Sequence, residues 1–214
     1  KRHSHRFKTI KCQELGYNLL HIAEYSWLKK PDNPKTWLKR YHEVLTEIQR
    51  CDLVIREVPI SVASEFYLEN GAYGINLDCD KVVGLYSSDM LIEIYPIYMS
   101  ETEVRVYSPT CKKYTNPVGS FDCVIEAVRK IIGSKELKFY ECLTIPEPKG
   151  VVISSMKPTD IIEEEFYICS NSKFYNHSII TSSPEYDSTK DIVENSLRMN
   201  YGVYFGSGHR VWIS

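Results

Sequence analysis

The chain has 214 residues, of which 25% are charged and 43% are hydrophobic, and its net charge is −2. These values are typical of an ordinary globular protein, and the length is enough for one large domain or two small ones. No apolar run approaches the length of a membrane span and the first residues lack the apolar segment of a signal peptide, so neither a membrane protein nor a membrane partner is expected.

Charge is divided unevenly along the chain. Residues 1–50 contain 11 Lys/Arg and 5 Asp/Glu, a net charge of +6, whereas residues 51–214 contain 15 Lys/Arg and 23 Asp/Glu, a net charge of −8. This asymmetry predicts a basic module joined to an acidic one. Basic side chains near the start suit contact with phosphates, although charge alone is equally consistent with a solvated basic face. They are Lys1, Arg2, Arg6, Lys8 and Lys11.

The first elements in chain order are a helix and a strand. Phe7, Ile10 and Leu15 recur at helical spacing, so residues 4–15 predict a helix, which Gly16 is placed to end. The apolar run at residues 17–22 then predicts a strand. His21 lies inside that run, and we interpret it as a core histidine rather than a metal ligand.

A turn and a longer helix are predicted next. Pro31 and Pro34 break the chain within residues 29–34, which predicts a turn. Apolar residues then follow spacings of three and four through residues 35–50, which predicts an amphipathic helix.

The remaining residues predict a mixed α/β module. Helices are predicted at residues 62–70 and 121–132, ended by Gly71 and Gly133. Two strands separated by Ser87, Ser88 and Asp89 have the pattern of a hairpin. The predicted strands are residues 52–58, 81–86, 91–98, 103–107, 137–143, 164–169, 202–205 and 210–213. We expect the last two to form a final pair.

The segment from His5 to Trp27 carries a family resemblance. It reads HRFKTIKCQELGYNLLHIAEYSW. It resembles the end of the very-short-patch-repair-like (Vsr-like) nuclease domain of phage homing endonucleases, where the pattern is H-x-x-K-T-x-x-C-x-x-x-G-x-x-L-I-H-I-F-E-D-E-W. The residues that fall on this pattern are His5, Lys8, Thr9, Cys12, Gly16, Leu19, His21, Ile22, Glu24 and Trp27.

The resemblance implies roles for these residues. His5 would activate water or stabilise the leaving group, Glu24 would hold Mg²⁺, and Lys8 would contact phosphate together with the other basic residues near the start. Tyr25 and Ser26 stand where the family pattern has acids, and no carboxylate precedes His5. Magnesium-dependent cleavage of DNA is therefore expected only if an acidic strand precedes Lys1.

Residues beyond 50 resemble a second family domain. The segments SEFYLENGAYG, residues 64–74, and GLYSSDMLI, residues 84–92, are similar to the C-terminal GNAT-like (acetyltransferase-like) domain of the same homing endonucleases. The resemblance implies a GNAT-like mixed sheet. Acetyl-CoA is not expected, because the phosphate-binding turn keeps a single glycine, Gly119, and has Asn116 in place of an Arg or Gln.

Two functional hypotheses from different classes follow for an α/β protein with a partial Vsr-like lobe at residues 1–50 and a GNAT-like domain at residues 51–214. The first is a homing-endonuclease-like protein that binds double-stranded DNA. The second is a degenerate nuclease that acts as an adaptor for other phage or host proteins. A third reading, a RAP-type RNA-binding module, fits residues 64–98 poorly. Seven dispersed cysteines without a C-x-x-C pair predict a reducing, cytosol-like compartment and no structural zinc. The resemblance to phage proteins implies that this compartment is the host bacterial cytoplasm.

Overall fold

The computed structural model describes most of the chain as helices and strands. The described residues are 4–22, 24–29, 31–42, 45–71, 79–133, 135–144, 151, 153–163, 166–170, 173–175, 178–205 and 208–214. The helices are α1 (Ser4–Glu14), α2 (Glu24–Lys29), α3 (Asp32–Tyr41), α4 (Ile60–Asn70), α5 (Ser120–Ile132), α6 (Ser178–Thr181) and α7 (Ile192–Arg198). The strands are β1 (Thr46–Gln49), β2 (Leu53–Glu57), β3 (Lys81–Ser87), β4 (Met90–Met99), β5 (Glu103–Tyr107), β6 (Thr110–Cys111), β7 (Thr115–Val118), β8 (Glu136–Cys142), β9 (Lys157–Glu163), β10 (Phe166–Ser170), β11 (Lys173–Tyr175), β12 (Gly202–Phe205) and β13 (His209–Ile213).

A large mixed sheet organises the molecule. Its strands lie side by side in the order β2, β3, β4, β5, β8, β13 and β9, and β6 pairs with part of β4. Strands β5 and β8 are parallel and are connected through α5, whereas the other described pairs of this sheet are antiparallel. The protein is therefore a mixed α/β structure, as the sequence predicted.

The sheet is covered on both faces. Successive side chains of each strand point to opposite faces, so the same strands contribute to two cores. On β5, Val104 and Val106 point into the larger core, where Val124 and Val128 of α5 pack against them. On the opposite face, a smaller core gathers around Ala63 of α4 and includes residues of β3 and β4. The long apolar run of β4 reflects this double burial.

Smaller pairings complete the described structure. Strand β1 pairs in parallel with β7 immediately before α5. Strands β11, β10 and β12 form a separate antiparallel sheet. Near it, Asp191 caps α7 by accepting a hydrogen bond from the backbone N–H of Glu194 at 2.7 Å.

Most predicted elements of residues 51–214 are confirmed. The hairpin of β3 and β4 turns at Ser88 and Asp89, and α4 and α5 end at Gly71 and Gly133. The last two strands are not paired with each other, because β12 lies on β10 while β13 lies between β8 and β9. Strand β9 was missed, since its polar sequence KPTDIIE lacks a strand-like apolar pattern.

Three predictions for the first 50 residues are wrong. The turn predicted at residues 29–34 is much shorter, because Lys29 ends α2 and Asp32–Pro34 form the first turn of α3, where a proline is tolerated. Residues 17–22 form no strand, although the helix before them ends at Gly16 as predicted. The predicted helix at residues 35–50 divides into α3, which starts earlier and ends at Tyr41, and β1. Residues 46–49 form a strand instead of a helix because the distant partner β7 supplies the backbone hydrogen bonds that a helix would have made locally.

Contacts cross the predicted module boundary at residue 50. Besides the β1–β7 pairing, the Asn33 side chain donates a hydrogen bond to the carbonyl of Gly71 at 2.7 Å. The Arg210 guanidinium donates to the side-chain oxygen of Gln13 at 3.0 Å. The boundary itself stays a prediction. None of the helices in the described stretches combines the length and the apolar character that crossing a membrane requires.

Candidate functional site

Helix α1 has two chemically different sides. Thr9 is completely buried and His5 is half-buried, whereas Phe7 and Lys8 are exposed. His5 and Thr9 are four residues apart and therefore share one side of the helix. The buried side of α1 is thus polar, and its partner must satisfy an imidazole and a hydroxyl.

That partner is His21. Its Nδ1 lies 2.9 Å from Nδ1 of His5, and its Nε2 lies 2.7 Å from the hydroxyl of Thr9. The two imidazole rings meet edge to face, with centroids 4.7 Å apart. His21 is only 8% exposed. The interpretation of His21 as a buried histidine with satisfied hydrogen bonds fits this geometry.

The chain reversal after α1 brings these residues together. Gly16 has a φ of +78°, in the left-handed region, and the N–H of Tyr17 donates to the carbonyl of Cys12 at 2.8 Å. Residues 17–22 then return along the helix. The N–H of His21 donates to the carbonyl of the buried Thr144 at 3.0 Å, which fixes this segment next to the end of β8.

Burial lowers the pKa of His5 below its ordinary value, and the positive charge of Lys8 lowers that pKa further. Both effects disfavour the imidazolium. His5 is therefore neutral at physiological pH in a larger fraction of molecules than a free histidine would be, which is the state that a proton acceptor requires.

The basic residues predicted to contact DNA are only partly brought together by the structure. Lys8 and Lys11 are exposed on α1, and Arg6 is half-buried. Lys11 forms an ion pair with Glu14 at 2.5 Å, with both side chains about half exposed. Lys1 and Arg2 lie outside the described residues.

Glu24, the predicted metal ligand, is exposed at the first position of α2. The sequence predicts a strand before it, but residues 17–22 form none. No three His, Cys, Asp or Glu side chains within the described ranges are grouped so that they could hold a metal ion. Glu24 as a ligand of Mg²⁺ stays a prediction.

The turn into α5 does not fit a cofactor pyrophosphate. Gly119 precedes the helix with a φ of +74°. In the first turn, the Asp122 carboxylate accepts hydrogen bonds from the N–H and the hydroxyl of Ser154, at 2.7 and 2.9 Å. A fixed negative charge at this position repels phosphate groups.

Sequence reasoning missed a buried polar cluster on β4. Glu93 is almost fully buried, and its carboxylate accepts hydrogen bonds from the Tyr95 hydroxyl at 3.1 Å and the Cys111 thiol at 2.7 Å. The Tyr95 hydroxyl also lies 3.0 Å from the hydroxyl of Ser120. The available signal was an acid within the apolar sequence LIEIYPI.

Comparison with known proteins adds no relative to these observations. The scan against protein-family models gave no match, and the search of curated proteins also gave no match.

Proposed function

We propose that this protein binds double-stranded DNA, that it is related to phage homing endonucleases, and that the exposed side of α1 contacts the phosphates. The observation that carries the proposal is the pair of exposed lysines, Lys8 and Lys11, one turn apart on the helix that also holds His5 and Thr9. Lysine side chains at this spacing lie on one side of a helix and can follow a phosphate backbone.

The local interactions of the two lysines do not prevent this use. The ion pair of Lys11 with Glu14 is solvent-exposed, and exposed pairs of this type contribute about 0–1 kcal/mol. A phosphate carries a full negative charge, and each contact with it releases condensed counterions. When Lys11 leaves Glu14 and contacts a phosphate instead, the exchange therefore favours the complex with DNA at low salt.

The order of elements after residue 50 supports the GNAT-like part of the proposal. Helix α4 is followed by the hairpin of β3 and β4, by strand β5, by the central helix α5 and by strand β8. Strand β8 is parallel to β5. Cleavage of DNA remains conditional on acidic residues upstream of Lys1, and we assign no metal-dependent step to Glu24.

A titration of a short labelled duplex tests the proposal. We expect binding at low salt that weakens steeply as salt rises, with a slope in log K against log salt of about −0.9 for each phosphate contact. Replacement of both lysines, Lys8→Ala with Lys11→Ala, is expected to reduce the steepness of that slope by about 1.8. Fluorescence anisotropy measures both quantities.

The matched control is Lys130→Ala, which removes an exposed lysine from α5. It is expected to leave the slope unchanged. No binding at low salt, or equal losses in the α1 and α5 variants, would contradict the proposed function.

A specific observation favours the adaptor as second candidate. Phe7 and Leu15 of α1 and the following turn are 63% and 73% exposed, and Tyr17 is also exposed. Trp27 and Leu28 expose further apolar surface on α2. In the adaptor hypothesis, these exposed apolar side chains would contribute to a protein-binding surface.

The adaptor hypothesis predicts that partner proteins are lost on substitution of the apolar residues near α1 and retained on substitution of its lysines. Phe7→Ser with Leu15→Ser should remove co-purifying phage or host proteins that the Lys8→Ala, Lys11→Ala variant retains. Quantitative mass spectrometry of both samples measures this. Equal recovery of every partner in the two variants would exclude the adaptor surface on α1.

A further inference from the structure

We infer that the protein forms a symmetric dimer in which strand β2 pairs antiparallel with β2 of a second copy of this chain, so that the two large sheets become one. Strand β2 stands at one end of the described sheet, with β3 as its neighbour on one side. The inference concerns a different surface from α1 and goes beyond the proposed function, because it does not depend on DNA binding.

The pairing of β2 with β3 shows which backbone groups of β2 point outward. The N–H of Val58 donates to the carbonyl of Val82 at 2.9 Å, in the same register as the rest of the two strands. Because the backbone groups of successive residues in an antiparallel strand point to alternate sides, those of Val54 and Arg56 also point towards β3. The groups of the intervening residues point away from β3, and these residues are Leu53, Ile55 and Glu57.

Most of these outward groups can still accept a further strand. The N–H of Leu53 donates to the carbonyl of Arg50 in the short helical turn Arg50–Asp52. The Leu53 carbonyl and both backbone groups of Ile55 and Glu57 form no hydrogen bond with the parts of the chain that the structure describes. A strand edge with this row of donors and acceptors is a template for pairing.

The opposite end of the sheet is protected against such pairing. Strand β9 begins with Lys157 and Pro158, and a proline has no N–H to donate. The N–H of Ile161 is engaged by the Thr159 hydroxyl at 3.1 Å, and the register between β9 and β13 is irregular. Strand β2 pairs with β3 in one continuous register instead. The β2 edge is therefore the one that suits a partner strand.

The charged side chains of β2 leave its outer edge open. The guanidinium of Arg56 lies over the ring of Tyr86 on β3, 5.1 Å from the ring centroid. The carboxylate of Glu57 contacts the ammonium of Lys81, also on β3, at 3.3 Å. Both charges are thus drawn towards β3, whereas charges that protect an edge must stand at the edge itself.

A second β2 strand presents the complementary pattern of backbone groups. When a two-fold axis passes between the two copies at Ile55, its N–H and carbonyl exchange hydrogen bonds with those of the partner's Ile55. The N–H of Glu57 then meets the carbonyl of the partner's Leu53, and the same bond is repeated on the other side of the axis. This register does not require the N–H of Leu53, which is already engaged.

The exposed charges of β2 favour the same partner. In this register Val54 lies opposite the partner's Arg56, and Asp52 is the diagonal neighbour of that arginine on the same face of the sheet. A long side chain reaches a diagonal neighbour, so each Arg56 can contact an Asp52 across the axis. The present ion pair of Arg56 with Asp89 at 3.7 Å competes weakly, because the Asp89 side chain is 98% exposed. This charge complementarity specifies an identical strand as the occupant.

Sedimentation velocity of the DNA-free protein over a wide range of concentration tests the inference. We expect a dimer whose fraction rises with protein concentration. Glu57→Pro removes an outward N–H and places a ring at the edge, and is expected to weaken the dimer by about tenfold or more. Glu57→Ala is the matched control, because it also loses the contact with Lys81 but keeps the N–H. A wild-type protein that stays monomeric throughout, or equal dimerisation of the two variants, would overturn the inference.

A pair of charge reversals tests the partner and the register without a proline. Asp52→Lys and Arg56→Glu each bring like charges together across the axis, so each variant alone is expected to dimerise less than the wild type. An equimolar mixture restores both attractive contacts and is expected to form the heterodimer. Asp160→Lys, at an exposed position of β9, is the control and should dimerise as the wild type does. A mixture that dimerises no better than its components would contradict the proposed pairing.

Discussion

At the residue scale, Glu103 links the start of β5 to the start of β8. Its carboxylate accepts a hydrogen bond from the Lys138 ammonium at 2.6 Å and another from the Arg105 guanidinium at 2.5 Å. The Glu103 side chain is only 14% exposed. These two hydrogen bonds hold the pKa of the Glu103 carboxyl below its ordinary value, and the one from Lys138 has the larger effect.

The lowered pKa makes stability depend on pH in a defined direction. Because the carboxyl is more acidic in the folded protein, its contribution is complete above the usual glutamate pKa of about 4.3 and is lost as pH falls through the folded value. Glu103→Gln is therefore expected to reduce the free energy of unfolding by about 1–2 kcal/mol at neutral pH, and by progressively less in acid. Urea unfolding at several pH values measures the difference.

Glu136→Gln is the control for this prediction. Glu136 pairs with the same ammonium of Lys138 at 3.3 Å but its side chain is 56% exposed. Its loss is expected to cost under about 0.5 kcal/mol at any pH. A difference between wild type and Glu103→Gln that grows on acidification would contradict the pKa argument.

At the element scale, α5 stabilises the sheet through one of its sides. Ile125 is 1% exposed within the larger core, whereas Ile131 is 61% exposed on the same helix. Ile125→Ala is expected to cost about 2–4 kcal/mol because it leaves a cavity, and Ile131→Ala under about 0.5 kcal/mol. Both substitutions make the same chemical change in a helix, so helix propensity cancels from the comparison. Similar losses in urea unfolding would mean that the helix does not pack as described.

The helices and the hairpin also show which elements a sequence can predict. The turn at Ser88 and Asp89 and the end of α5 at Gly133 are local signals, and both were located correctly. Strand β1 was predicted as helix because its partner β7 lies far along the chain, and nothing within residues 46–49 indicates it. In a short segment, such tertiary pairing overrides local propensity and determines the secondary structure.

The cluster of His5, Thr9 and His21 was only partly predictable from the sequence. His5 and Thr9 share one side of a predicted helix, so their proximity follows from spacing alone. The approach of His21 depends on the direction that the chain takes after Gly16 and on the bond to Thr144. Neither the direction nor that partner follows from residues 5–27.

At the scale of the whole molecule, the first 50 residues are tied to the large sheet at several points. These are the bonds of His21 with Thr144, of Arg210 with Gln13 and of Asn33 with Gly71, and the pairing of β1 with β7. We therefore expect a single unfolding transition that is common to both parts. Coincident urea curves from tryptophan fluorescence and circular dichroism would agree with this.

Two separated transitions would contradict that expectation and would favour independent modules. Arg210→Ala offers a further comparison, because it removes the contact with Gln13 and the ion pair with Glu141 at 3.8 Å. If the contacts couple the two parts, this variant should broaden or divide the transition. Arg198→Ala, on α7, is the control and should leave a single transition.

The position of β13 constrains the order in which the chain can fold during its synthesis. Strand β13 comes after the other described strands in the chain, yet it lies inside the sheet between β8 and β9. While residues 209–213 are still within the ribosome, β8 and β9 have edges with unpaired backbone groups, which are prone to pair with other chains. A nascent chain that pauses before this point is consequently more exposed to aggregation than a chain in which β13 has paired.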